Sequence, residues 1–518
     1  MRLGIDFGTT RVVVAVSDRG NYPVVAFEAP DGSSWEWFPP LIAARDGERL
    51  YGWEAWAAQT DPRYTVVRSL KRTLEDAGPS TLVQLGNTQI PMLQVLEEMM
   101  AALRSALLEH SSLPGKGTAG PLEATLGVPA NANTNQRFLT VEPAMRAGFS
   151  VLGLLNEPSA ASIEYGHRDR SGQSSECVLV YDFGGGTFDA SLVEIEGREH
   201  TVVATEGVSF LGGDDFDLLL ADLAFSSADV LTQAEIFRLH EECRTKKEAI
   251  HPNTRRIVID LGCVREDFDE VAIPVDEFYE RCRPLIQKTI DAAEKLASDH
   301  PGKRVDAVYV TGGASELPLV SRMLREVFGR KVKRSPYTRS ATAIGLAIQA
   351  GEQAGYVLRE RFTRHFGVWR EAQSGRDVVF DSLFPKGTLL PASGEPPLTI
   401  RRVYRPVHNI GHFRYLECSR RGEHGEPTGD ITVWDEIRFS FDPSLGRQQD
   451  LSAEQVSHHP LAAHQEIEEL YSCDAAGGVS VTISNLTAGY SREYRLGRWA
   501  ASPEAIVPGK KKSRRAAK

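Results

Sequence analysis

The chain has 518 residues, a length that fits several domains at about 150 residues each. Its 59 Lys and Arg against 70 Asp and Glu leave a net charge of −11, and 41% of its residues are hydrophobic. That composition excludes global disorder, and the acidic balance argues against nucleic-acid binding, which needs a basic surface to neutralise phosphates. No apolar run approaches the roughly 20 residues that span a bilayer, and MRLGID lacks the basic and apolar regions of a signal peptide. The six cysteines are scattered singly, so neither a disulfide framework nor a zinc site is expected, and a reducing, cytoplasmic setting is.

Residues 1–16, MRLGIDFGTTRVVVAV, form an apolar strand ending in Asp6, a Gly-Thr turn and a second β-branched strand. The same pattern returns at 177–193, CVLVYDFGGGTFDASLV, with Asp182 at the strand end. Glycines supply the positive φ of tight turns, and two such hairpins predict two similar α/β halves. Between them, Leu93, Leu96, Met100, Leu103 and Leu107 recur at helical spacing. A strand at 124–130 follows, then an apolar run at 151–155 that leads into a helix start at Asn156-Glu157-Pro158-Ser159. Helices are expected at 234–250, 275–297, 317–327 and 340–349, and strands at 256–261 and 305–310.

The pattern changes near residue 355. Short alternating runs at 399–404, 413–418, 437–441 and 479–484, separated by Gly, Pro, Asp and Asn, read as an all-β region. The expected organisation is an α/β domain over 1–354, a linker over 355–363, a β-sandwich over 364–500 and a basic tail, containing KKKSRR, over 501–518.

Facing Asp-Gly-Thr hairpins suit phosphate chemistry. Glycines let backbone N–H groups approach phosphates, threonine hydroxyls add donors, and two carboxylates are hard ligands for Mg²⁺. Positioning and charge neutralisation are what phosphoryl transfer chiefly requires. No G-x-x-x-x-G-K-[ST] occurs, so this is not a P-loop enzyme.

GIDFGTT, LNEPSAASIEYG, VYDFGGGTFD, VYVTGGASELP and ATAIGLAIQAG occur in that order over about 1–350, with LGVPANANTNQR and the SLKR at 69–72 between them. In these motifs the chain resembles the heat shock protein 70 chaperone family. The resemblance implies a two-lobed actin-like (duplicated ribonuclease H-like) ATPase domain followed by a β-sandwich that binds peptide. It implies ATP, Mg²⁺ and K⁺ as cofactors, with Asp6 and Asp182 organising the metal. Gly8, Thr9, Thr10, Gly184, Gly185, Gly186 and Thr187 would hold the phosphates, and Lys71 would meet the γ-phosphate and orient the attacking water. Glu157 would link the site to lobe movement. Gly212, Gly213, Lys246, Gly312 and Gly313 would form the ribose and adenine pocket, and Pro129 and Arg137 the relay between domains.

Taken singly, Asp6 and Asp182 also read as turn formers, Lys71 and Lys246 as solvated helix charges, and Glu157 as a partner of a helix N-terminus. Several residues depart from the family pattern. Glu316 and Arg339 exchange the charges of the adenosine pocket, and Ile250 replaces a small hydroxyl residue. Gly153 stands where a J-domain contact arginine is usual, so that partnership is not carried over. In the linker, Arg359 interrupts the apolar-then-acidic run Tyr356-Val357-Leu358-Arg359-Glu360. The stretch 466–496 resembles the final strands of the peptide-binding domain, and the residues after it are too few for a helical lid. The sequon at Asn485 reads as incidental. The expected function is an ATP-dependent chaperone acting on unfolded or extended peptide, served by a nucleotide-exchange factor. The alternatives are a nucleotide-regulated scaffold or filament protein, or a small-molecule kinase of the same fold.

Overall fold

The computed structural model describes residues 1–496 apart from 115–121, 169–174, 226–229, 352–353, 373–376, 393, 447, 449 and 476. The basic tail expected at 501–518 lies outside the described residues. The chain divides into two units, Met1–His365 with Phe384–Pro396, and Phe366–Leu383 with Pro397–Lys518.

In the first unit the strands Arg2–Phe7 and Val12–Ser17 pair antiparallel, with Ile5 opposite Val14 and Asp6 opposite Val13. Arg2–Phe7 also pairs in parallel with Leu122–Val128, which pairs in parallel with Phe149–Asn156. The second sheet repeats the plan. Glu176–Phe183 and Phe188–Glu196 form an antiparallel hairpin, and Glu176–Phe183 pairs in parallel with Ala307–Thr311. Its full order is Val332–Arg334, Ala307–Thr311, Glu176–Phe183, Phe188–Glu196, Glu199–Val208 and Val357–Arg359. The interior strands Leu122–Val128 and Ala307–Thr311 are buried almost throughout, because both their faces are covered.

Two helices, Glu157–Arg168 and Ala341–Ala350, set the position of the first hairpin. A Cβ on Gly345 would lie 1.8 Å from the Ala160 carbonyl oxygen, and one on Gly4 would lie 2.2 Å from the Ala347 nitrogen. Backbones in such close approach leave room only for hydrogen. The amphipathic helix expected around residues 93–107 is Met92–Glu109, which buries Leu96, Met100, Leu103 and Leu107.

The segment read as a linker is built into the first unit. Val357–Arg359 adds a parallel edge strand to the second sheet, with Leu358 opposite His200. Phe384–Pro396, a stretch that the sequence pattern groups with the β-rich region, also belongs to this unit. Phe362 N donates to Thr388 O at 2.9 Å, and Leu390 N donates to Glu360 O at 2.8 Å.

The second unit is all β. One sheet has the order Asp377–Phe384, His365–Ala372, Ile410–Arg421 and Pro427–Ser440, and the other Leu398–Tyr404, Ile467–Cys473, Val479–Asn485 and Tyr490–Leu496. The strict alternation of buried and half-buried residues in Val479–Asn485 is that of a strand with one covered face. Buried Tyr415 and Tyr471, one from each sheet, meet with ring centroids 6.2 Å apart.

Candidate nucleotide site

Each hairpin turn presents its Asp at the strand end and its glycines toward the other hairpin. A Cβ on Gly185 would lie 2.8 Å from Thr10 Cγ2, and one on Gly186 would lie 2.5 Å from Thr9 Oγ1. The two turns therefore face each other across a cleft of about 110 Å³. Gly312, with φ +84°, closes the floor: a Cβ there would lie 2.3 Å from Phe183 O and 2.5 Å from Asp182 Oδ1. Of the residues singled out from the sequence, Asp6, Gly8, Thr9, Thr10, Lys71, Glu157, Asp182, Gly184, Gly185, Thr187, Gly213, Gly312 and Gly313 line this cleft.

Lys71 lies in the 3-10 turn Leu70–Glu75, entered through Ser69 in a left-handed conformation. Its Nζ donates to Glu157 Oε1 at 2.5 Å, and both side chains are about nine-tenths buried. Burial opposes the lysine's charge, but Glu157 and Asp6 outweigh it and hold the amine protonated. The carboxylates feel the reverse. Burial, with Glu157 nearby, pushes Asp6 up to about 7 against the pull of Lys71, and Asp189 is also raised to about 7. Asp182 is raised well above the carboxylate range by burial first, then by Glu157, Asp6 and Asp189.

Four enclosed carboxyl groups thus surround one buried ammonium. Such a set favours a further cation, because burial penalises each unbalanced negative charge. Hard oxygen donors suit Mg²⁺, which usually keeps several waters when held by one or two carboxylates. The residues present fit that ion.

Asp189, which closes the VYDFGGGTFD motif three residues after Gly186, joins these acids, although the Asp-ended strand repeat does not single it out. Strand pairing sets it directly opposite Asp182. One expectation needs correction. Lys246 does not line the cleft: it pairs with Glu242 at 3.3 Å along its own helix. Its neighbour Lys247 faces inward instead, donating to Gly213 O at 2.7 Å and pairing with Asp217 at 2.6 Å. One residue of helix rotates a side chain by about 100°, which decides between the two. Gly186 stays in the facing turns, where a Cβ would meet Thr9. Gly212 packs behind the turn, where a Cβ would lie 2.4 Å from the Gly185 carbonyl carbon. Ile250 is a core residue rather than part of the cleft wall.

The exchanged charges do form a pair. Arg339 donates to Glu316 at 2.5 and 2.8 Å, and its Nη1 donates to Glu248 at 3.0 Å. Glu248 also receives Arg11 from the first hairpin at 2.6 Å. Further bonds run between the same two sides: Ser69 donates to Asp214 at 2.5 Å, and Arg72 donates to Asp215 at 3.1 Å. Behind the site, Arg137 donates to Asn156 Oδ1 at 2.8 Å, and Asn156 N donates to Glu360 at 3.1 Å. Burial raises Glu360 above the usual carboxylate range despite the nearby Arg137.

Residues 117–361 match the family model described as Hsp70 protein. The chain is 29% identical over 433 residues to a heat shock protein from Pyricularia oryzae, covering 75% of this chain and 68% of that one. It is 28% identical to a chaperone protein DnaK from Nitrosopumilus maritimus, over 69% of this chain and 57% of the relative. It is 32% identical to a chaperone protein dnaK3 from Thermosynechococcus vestitus, over 68% of this chain and 55% of the relative. The chain is thus similar to Hsp70 proteins over much of its length. It spans little more than half the length of the latter two relatives. All six cysteines are free, and among the described residues no helix is long and apolar enough to cross a membrane.

Proposed function

We propose that the chain is an ATP-hydrolysing chaperone of the Hsp70 type. Its first unit is a two-lobed actin-like ATPase domain, and its second is a β-sandwich that takes an extended peptide or protein client. The observation that carries this reading is the buried Lys71–Glu157 pair set among Asp6, Asp182 and Asp189 between two facing Gly-Thr turns. The relatives' names support a chaperone and lend nothing to the kinase or scaffold alternatives.

Backbone N–H groups of Gly8, Gly184 and Gly185 and the hydroxyls of Thr9, Thr10 and Thr187 donate to the phosphate oxygens. Lys71, held by Glu157, carries its charge to the γ-phosphate and orients a water for in-line attack, without a covalent enzyme intermediate. Asp6 and Asp182 would hold Mg²⁺, which supplies charge neutralisation of the phosphates; K⁺ is part of the same proposal. Cationic side chains and fixed amides of this kind act where charge spreads in the transition state.

The cleft of about 110 Å³ is small beside the roughly 300–1,000 Å³ of ligand pockets. Nucleotide entry therefore parts the bonds of Arg11, Ser69 and Arg72 across it. The strand Val357–Arg359 is the element whose docking responds. The setting is cytoplasmic, and a nucleotide-exchange factor is the expected helper; Gly153 leaves a J-domain partner without its usual contact arginine.

The test is single-turnover ATP hydrolysis in Mg²⁺ and K⁺, with and without an extended apolar peptide. Peptide-stimulated hydrolysis that disappears in Leu358→Asp is the expected result. Hydrolysis indifferent to peptide would leave an ATPase and remove the client-binding half of the reading.

A further inference from the structure

The turn that carries Lys71 is held on both of its flanks by one short acidic stretch. Ser69, two residues before Lys71, donates to Asp214 at 2.5 Å, and Arg72, the residue after it, donates to both oxygens of Asp215 at 3.1 and 3.2 Å. Asp214 and Asp215 lie in the first turn of the helix Gly213–Ala224, so two neighbouring acids fix the lysine from either side. The Arg72 and Asp215 side chains are only 17% and 21% exposed, and that enclosure limits screening of the pair by solvent.

The grip extends into the phosphate-facing turn. The Arg72 guanidinium lies over the Phe210 ring at 5.8 Å, and a Cβ on Gly186 would lie 2.8 Å from Arg72 Cγ, so glycine leaves the room that the arginine stem occupies. Asp215 also accepts from Gly212 N at 2.7 Å. Ser209 donates to Glu75 at 3.1 Å, at the far end of the Lys71 turn. Backbone conformation marks the same contact. Among the described residues four that are not glycine have positive φ, and two of them, Ser69 at +56° and Phe210 at +54°, lie on its two sides. Left-handed backbone at a bulky residue is unfavourable and persists only where the surroundings over-determine it, as they do at working sites.

We propose that Arg72 is a positioning residue for ATP hydrolysis: its grip on Asp215 sets the turn, and the turn sets where the Lys71 ammonium meets the γ-phosphate. The proposal rests on the reading of this cleft as an ATPase site and adds a residue that acts through Lys71. The charge of Arg72 is taken up by Asp215, so its part is placement rather than contact with the reacting atoms. The bonds that part for nucleotide entry close again over the seated phosphates, and hydrolysis waits on that closure. Misplacing a reacting group by about 1 Å can cost on the order of 10²-fold in rate, so a loosened turn is enough to slow the step.

Single-turnover hydrolysis of MgATP by the full chain tests it, in a double-mutant cycle over Lys71 and Arg72. Arg72→Gln alone should slow hydrolysis about tenfold while MgATP affinity stays within about threefold of the parent, and Arg72→Lys, which keeps the charge, should recover most of the rate. In the Lys71→Ala background the same Arg72→Gln change should cost less than about twofold, because a residue that acts only through Lys71 has nothing left to place. Asp215→Asn, which keeps an oxygen for Gly212 N, should repeat the tenfold loss and serves where Arg72→Gln does not fold. Parental rates in Arg72→Gln and Asp215→Asn overturn the proposal. A loss confined to MgATP affinity does the same, as does a further loss of about tenfold on adding Arg72→Gln to Lys71→Ala, which would make Arg72 act on its own. In each of these cases a rate loss of about a hundredfold in Lys71→Ala leaves the ATPase reading standing, whereas Lys71→Ala hydrolysing at the parental rate overturns both.

Discussion

Replacing Lys71 by alanine removes the one ammonium paired with Glu157 in the cleft. The 2.5 Å contact with Glu157 and the nine-tenths burial of both side chains mean that solvent does not screen the loss. Two effects follow, with different readouts. Breaking a buried pair by deleting one partner costs about 3–5 kcal/mol in a rigid site. Here Asp6 and Asp189, already raised to about 7, relieve part of that by taking up a proton, each pKa unit being worth about 1.4 kcal/mol, so a net destabilisation of roughly 2 kcal/mol is expected. The chemical step loses a preorganised cation at the γ-phosphate. Losing one such group typically costs about 2.7–4 kcal/mol, or 10²–10³ in rate. Single-turnover hydrolysis of ATP, with chain in excess, isolates that step from nucleotide release. Lys71→Met, which keeps the alkyl stem, should show the same rate loss with a smaller fall in melting temperature. A single-turnover rate in Lys71→Ala within about threefold of the parent would refute the assignment of Lys71 to the phosphate.

Three further outcomes are expected. Leu358→Asp puts a charge where the linker strand packs beside Tyr165, Val202 and Tyr309, and should release that strand at a cost of about 2–3 kcal/mol; faster hydrogen exchange at the Leu358 and Arg359 amides is the readout, and unchanged protection would contradict it. Gly345→Ala drives a methyl to 1.8 Å from the Ala160 carbonyl, so the two helices must separate; a loss of about 2–3 kcal/mol in urea unfolding is expected, and a loss below about 0.5 kcal/mol would show the helices are not so tightly seated. His200 is fully buried beside Ser162 and Tyr356, and burial alone pushes it down to about 4 from an ordinary 6.5. A histidine lowered in the folded state is neutral there, so its stability contribution is complete above about 6.5 and drains as pH falls toward about 4, by roughly 3 kcal/mol. The melting temperature of His200→Gln should accordingly fall less than the parent's between those limits; parallel curves would remove His200 from the account.

Local information was sufficient for much of the architecture. The two Asp-ended hairpins, the helix start at Asn156-Glu157-Pro158 and the alternating runs after residue 364 are each readable because their signals are short-range: β-branched strands, glycine turns, a proline in a first turn, a two-residue period. The same repeat pointed to Asp6 and Asp182, since a duplicated strand end implies a duplicated position. Other features depend on residues far apart in the chain. That Lys71 meets Glu157 across 86 positions, and that Asp189 is a fourth enclosed acid beside Asp182, follows from strand register and sheet packing. Helix phase sends Lys247 inward and Lys246 to Glu242. The pairing of Arg339 with Glu316 is a contact between a turn and the distant 3-10 helix Gly313–Glu316, and Phe384–Pro396 joins the first unit through backbone bonds to the linker. Composition and periodicity describe how a segment folds against a generic core. Which charges share a cleft, and so how they shift one another, is set by burial and distance that only the folded chain defines.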